Sequence, residues 1–150
     1  TMFTSNQQQG FGLIEVLITV VILAIGLLGL AGLQATGLNF NHSAYQRSQA
    51  TTLAYDIIDR MRANPVAIDS YRTAAPQVVA ACTGSGCSPA QMAQNDLAEW
   101  NAILISTFGN TVAPDITIAG TVYTVSITWD ENRDGLVDAN DPDFEVSFQP

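Results

Sequence analysis

The chain contains no lysine. Its basic residues are Arg47, Arg60, Arg62, Arg72 and Arg133, set against 14 acids, for a formal net charge of −9 over 150 residues. A surface of that sign repels phosphate backbones, which argues against nucleic acid as a partner. The same shortage removes the basic cluster that would hold an anionic membrane surface electrostatically. Histidine is represented once, by His42. No Ser/His/Asp or Cys/His constellation stands out around it, so nucleophilic catalysis has no visible apparatus. Cysteine occurs twice, as Cys82 and Cys87 in CTGSGC. Four intervening residues, two of them glycine, let the sulfurs meet, and outside the cytoplasm a disulfide is the expected state. Closing so short a loop stabilises by roughly 2 kcal/mol on the chain-entropy model. A pair of free thiols is the alternative, and a metal site at these cysteines is weaker still, because His42 is remote in sequence.

Charge is also absent from Val16 to Leu33, and proline does not occur before Pro65. What stands there instead is QQQGFGLIEVLITVVILAIGLLGL, Gln7 to Leu30. As a helix, Phe11 to Leu33 spans about 35 Å at 1.5 Å per residue, enough for a bilayer. A cleaved secretory signal fits less well. The apolar run starts early and is long, no basic region precedes it, and no small-x-small site closes it. Gly26, Gly29 and Gly32 recur every third residue, which gives either a smooth strip for a neighbouring helix or ordinary transmembrane composition. Glu15 is the one charge in this run. Burying an acid at mid-bilayer costs about 3 kcal/mol, less near the edge. It is either hydrated at headgroup level or paired. A cut after Gly10 would give Phe11 a new α-amino group four residues from Glu15, in a first helical turn whose dipole also favours an acid. The same amine on a neighbouring chain would serve equally well.

GFGLIEVLITVVILAIGLLGL resembles the type IV prepilin signature. Farther along, QRSQATTLAYDIIDRMRANP and CTGSGCSPAQMAQNDLAEW resemble the type IV pilus minor pilins of the PilV (pilus modification protein) group. The N-terminal core is shared with all pilins and with type II secretion pseudopilins, whereas the later stretches are more specific. The resemblance implies a leader over residues 1–10, cut after Gly10 by prepilin peptidase. It also implies an N-methylated Phe11 as the first mature residue, and Glu15 as the carboxylate that pairs with a neighbouring N-terminus during assembly. The leader TMFTSNQQQ departs from the pattern in having no basic residue, and Gly12 stands where Thr or Ser is common. The implied fold is α+β, the type IV pilin fold. It has a transmembrane helix over residues 11–33, an amphipathic continuation over 34–64, and a head over 65–150 built as a small antiparallel sheet packed on the helix. The implied partners are other minor and major pilins. The implied location is the inner membrane with a periplasmic head, then the extracellular pilus.

The residues after Leu33 support that outline independently. Ala50, Leu53, Ala54, Ile57, Ile58 and Met61 fall at helical spacing, with Asp56, Asp59, Arg60 and Arg62 left for a solvated face. Gly37 and the polar run 39–43 are weak helix formers where a bend can form, and Asn64-Pro65 ends the helix. Residues 65–87 read as loop. Ser88-Pro89-Ala90-Gln91 reads as a capped helix start. Ala93, Leu97, Trp100, Ile103 and Leu104 form that helix's apolar face, and Gly109 closes it. Strands follow, with Ile116 and Ile118 turning at Gly120, then Thr121, Tyr123, Val125, Ile127 and Trp129 on one face, and Phe144, Val146 and Phe148 at the end.

Between the strands, DENRDGLVDAND fits D-x-N-x-D-G-x-x-D-x-x-D. Side-chain oxygens of Asp130, Asn132, Asp134, Asp138 and Asp141, with the Leu136 carbonyl, suit a hard cation such as Ca²⁺. The loop resembles an EF-hand or dockerin-type calcium loop, here between strands instead of helices. Asp at the last position is shorter than the usual Glu, yet extracellular calcium fills sites with dissociation constants of about 10⁻⁴ to 10⁻³ M. An acidic surface turn is the plain alternative, since Asp-Gly is a common turn dipeptide. Three functional readings follow: a minor pilin of an initiation or tip complex, a type II secretion pseudopilin, or a membrane-anchored periplasmic enzyme, for which no catalytic set is visible.

Overall fold

The computed structural model describes residues 12–150. Helix α1 runs from Leu13 to Ala63 without interruption, through Gly37 and the polar stretch where a bend was expected. It ends where the residue before Pro65 must leave the helical region; Asn64 sits at φ −124°, ψ 59°. The chain divides into two compact units, one ending at His42 and the other running from Ser43 to Pro150.

In the N-terminal unit the apolar side chains of α1 are exposed from Leu13 to Leu33. The length and apolarity of this helix suffice to cross a membrane.

The C-terminal unit is α+β. After α1 come a 3₁₀ turn at Pro65–Ala67, the single-turn helix α2 at Ser70–Thr73 and a second 3₁₀ turn at Ala80–Thr83. The stretch 65–87 is thus more ordered than a plain loop. Helix α3, Pro89–Phe108, starts with the expected capping box: Gln91 N donates to Ser88 Oγ (3.3 Å), and Ser88 N donates to Gln91 Oε1 (3.0 Å). Strands β1 (Ala113–Ala119), β2 (Val122–Thr128) and β3 (Asp143–Phe148) form one antiparallel sheet in the order β1-β2-β3. Ala119 pairs with Val122 across the two-residue connection Gly120-Thr121. Gly120 has φ 64°, as the first position of a tight hairpin turn demands.

One buried cluster joins the three elements: Leu53, Ile57, Ile58 and Met61 from α1, Leu97, Trp100 and Leu104 from α3, and Tyr123, Val125 and Ile127 from β2 with Trp129 just after it. Within it Phe108 stacks on Trp129 with ring centroids 5.0 Å apart, and the Trp100 indole donates to the Leu53 carbonyl at 2.9 Å. Two assignments need correction. Ile103 is 40 % exposed, and Phe108 takes its place on the buried face of α3. Thr121 lies in the hairpin turn and is exposed, so the inner face of β2 begins at Tyr123.

Candidate functional site

Gly10 and Phe11, the expected processing pair, lie outside the described residues. Glu15 is the acid in the first turn of α1 and is exposed; its amide donates to the Gly12 carbonyl at 2.9 Å. Around it Leu13 is 84 % exposed and Ile14 67 %. Thr19 and Thr36 hide their hydroxyl protons by donating to Val16 O (2.8 Å) and Gly32 O (3.1 Å). A methyl group placed on Gly26, Gly29 or Gly32 would meet nothing within 4 Å, so no contact among the described residues requires glycine there.

Cys82 and Cys87 form a disulfide, with Cα atoms 4.8 Å apart. Gly86, at φ 94°, gives the enclosed turn a backbone conformation that L side chains rarely adopt.

The Asp130–Asp141 segment is organised by its own acids. Asp130 accepts from the amides of Asp134 (3.2 Å) and Gly135 (2.9 Å). Asn132 accepts from Asp134 N at 2.8 Å, and Asp134 accepts from Leu136 N at 2.9 Å. Asp141 ties the ends together, accepting from Glu131 N (3.2 Å) and Asp138 N (3.0 Å). Arg133 (φ 60°) and Gly135 (φ 89°) make the reversals that aim these amides inward. All six expected ligand positions therefore lie in one closed loop. Among the described residues no group of three or more His, Cys, Asp or Glu side chains converges as a metal cage.

The sequence reading missed a polar knot. Arg60, assigned to a solvated face, instead bridges α1 to α3. Its Nε donates to Asp56 (3.1 Å), and its Nη1 to Asp96 (3.1 Å) and Glu99 (2.8 Å). The Tyr71 hydroxyl from α2 donates to Asp96 Oδ2 at 2.5 Å, and Asn64 Nδ2 donates to the Pro89 carbonyl at 2.8 Å. Burial works against the Arg60 charge, but Glu99, Asp56 and Asp96 outweigh it and hold the guanidinium above its usual pKa. Burial, reinforced by Asp96, pushes the Tyr71 phenol up. The hydrogen bond from Arg60 holds the Glu99 carboxyl below the usual range. Asp96 and Glu99 flank the apolar stripe of α3 three residues apart, as Arg60 flanks that of α1. That pairing of flanks was the available clue.

Between α2, α3 and β1 lies an open cleft of about 200 Å³ with Tyr71, Trp100 and Ile116 on its floor and Arg72 and Asp115 at its rim. It contains no nucleophile–base pair, and His42 belongs to the other unit.

An apolar N-terminal helix, exposed over its first half and packed over its second against a three-stranded antiparallel sheet, is a pilin-like α+β architecture. Residues 5–31 match the prokaryotic N-terminal methylation motif, and residues 32–98, directly following, match the family described as Type IV pilin Tt1218. Over these stretches the chain is similar to a type IV pilin with a prepilin methylation motif, and that family is structural, not catalytic. No curated protein and no solved structure gives a significant match.

Proposed function

We propose that the chain is a minor pilin. In this reading prepilin peptidase cuts it after Gly10, Phe11 becomes its methylated N-terminus, and it enters a type IV pilus through α1, in an initiation or tip complex with other minor pilins. Before assembly it rests in the inner membrane with its C-terminal unit in the periplasm; afterwards it is extracellular. The observation that carries the reading is the exposed apolar helix from Leu13 to Leu33 with Glu15 as its one charge. A helix apolar on all sides needs cover from lipid or from other helices. A carboxylate inside such cover needs a cation, and the nearest one chemistry can supply is the α-amino group of a trimmed Phe11. Glycines that no contact among the described residues requires leave room for a neighbouring helix to approach. The test is mass spectrometry of the N-terminus from assembled fibres together with a Glu15→Ala variant. Methylated Phe11 and at least a tenfold drop in incorporation of the variant are expected. Fibres that retain residues 1–10, or that admit the variant at the wild-type level, would reject the mechanism.

The reading includes calcium in the 130–141 loop, with Asp130, Asn132, Asp134, Asp138, Asp141 and the Leu136 carbonyl as ligands. The ligand spacing supports this, as do the amide bonds of Asp134, Gly135 and Leu136, which hold the Asp130 and Asp134 carboxylates against the loop backbone. Bound calcium would offset the mutual repulsion of Asp130, Glu131, Asp134, Asp138 and Asp141 and tie β2 to β3. Chelation should then lower the melting temperature of the detergent-solubilised chain by several degrees, and added calcium should restore it. An identical melting curve with and without calcium rules this part out.

A further inference from the structure

The two edges of the sheet are protected differently. Strand β1 carries Pro114 and has helix α2 beside it. Strand β3, DFEVSF, has neither proline nor lysine, the two common ways of blunting an edge. It has no bulge either: its register with β2 runs from Tyr123↔Phe148 to Thr128↔Asp143 without an offset. Among the described residues, no backbone hydrogen bond beyond the β2 ladder reaches residues 143–148. Alternate N–H and C=O groups of β3 are therefore directed away from the sheet with no partner among the described residues. On the outer face this edge presents Asp143, Glu145 and Ser147, all exposed; Phe144, Val146 and Phe148 face the core.

We propose that β3 is a strand-addition site for an extended, cationic segment of a different protein subunit. Backbone pairing would supply the ladder, and Lys or Arg at alternate positions would meet Asp143 and Glu145. The charge pattern decides against a second copy of this chain. In two-fold antiparallel pairing centred on Phe144, Glu145 meets Asp143. Centred on Glu145, it meets itself. Centred on Val146, the two Glu145 side chains become diagonal neighbours at about 7–8 Å. No register that pairs most of β3 with its copy relieves the repulsion, because the strand has no basic residue and the chain has no lysine; centring on Ser147 sets Glu145 opposite Gln149 but leaves only residues 146–148 of the strand paired with one another. In the same sheet row Glu145 is followed by Ser126 and Asp115, so the neighbouring strands bring no cation either. The proposal stands apart from the pilus reading, since it concerns only the edge and its charge.

The test uses the full chain in detergent with three synthetic octapeptides: alternating Lys and Val, alternating Glu and Val, and Lys–Val with a central proline. Amide hydrogen exchange reads the site. The Lys–Val peptide should slow exchange at alternate residues of 143–148, and Glu145→Lys should weaken its binding at least tenfold while leaving the melting temperature unchanged. The other two peptides should give no protection. Unchanged exchange in β3 at saturating Lys–Val peptide would overturn the proposal. So would equal protection by the proline-containing peptide, which keeps the charge but cannot form the ladder. Concentration-dependent protection of β3 without any peptide would assign the edge to a second copy and overturn it as well.

Discussion

Residues 13–33 and residues 50–61 belong to the same helix, yet their apolar side chains meet opposite fates. Leu13 and Leu28 are 84 % and 73 % exposed, while Ile57, Ile58 and Met61 are fully buried. The backbone treats both alike, because a helix satisfies its own hydrogen bonds wherever it is placed. The difference lies in the pattern. Between 50 and 61 apolar residues return on a 3.6-residue period and leave a polar flank, so the stripe can be buried within the chain. Between 16 and 33 they occupy every side, and no single neighbour can cover them all. The first stretch is specified by this chain's own core, the second by whatever surrounds the chain.

Truncation breaks or confirms this contrast with the largest expected effect. Ile57→Ala should cost about 2–5 kcal/mol of stability, because it removes buried methyls from a site fixed by α3 and the sheet. Leu23→Ala should leave unfolding of the C-terminal unit within error, since Leu23 is 62 % exposed. Near-ultraviolet signals from Trp100 and Trp129, both in the core, follow the unfolding. Equal losses from the two substitutions would mean that the two stretches share one stabilising environment after all.

The same contrast explains what could be read from the sequence. Period and punctuation carried most of the C-terminal unit. Asn64-Pro65 stops α1, Ser88 to Gln91 starts α3, Gly120 turns the hairpin, and the alternation after Val122 sets the inner face of β2. The failures came where a residue's fate depends on a distant element. Ile103 sits one position from Leu104 on α3, and which of the two is covered depends on where α1 and the sheet lie. Arg60 looked solvated because its helix neighbours gave no hint of Asp96 and Glu99, 36 and 39 residues away. For the N-terminal stretch the motif was legible because a run apolar on every side around one acid, Glu15, is itself a local signal.

A smaller effect sharpens the comparison within the packed half of α1. Arg60 and Arg62 both form ion pairs, but only Arg60 is shared among three carboxylates and reaches α3. Arg60→Met leaves Asp96, which is only 8 % exposed, facing Asp56 and Glu99 without a cation. The cost should be about 1–3 kcal/mol, because a buried acceptor loses a charged donor. Arg62→Met removes a 3.6 Å contact to Asp59, whose side chain is 74 % exposed, and the stacking of the guanidinium over the Phe148 ring at 5.2 Å, and should cost about 0.5–1 kcal/mol. Denaturant midpoints of the two variants at one pH measure the difference.

The smallest effect comes from protons and tests whether the knot acts as an ion pair at all. Arg60 holds the Glu99 carboxyl below its ordinary range through their hydrogen bond, against a lesser opposing effect of burial. A lowered carboxylate pKa means that the unfolded chain binds the proton more readily. The resulting stability is complete above the unfolded value of about 4.3 and drains away as pH falls through the lower folded value. Tyr71 has the opposite sense: burial and Asp96 raise its phenol, so its share is complete below about 10 and is lost as pH rises through the folded value. Since the Glu99 side chain is 47 % exposed, solvent screens much of its share. Glu99→Gln should therefore melt slightly below the wild type at pH 7, and the gap should close on acidification through pH 4. A gap that persists at pH 3 would mean that Glu99 contributes packing or neutral hydrogen bonds, and that Arg60 holds α3 mainly through Asp96.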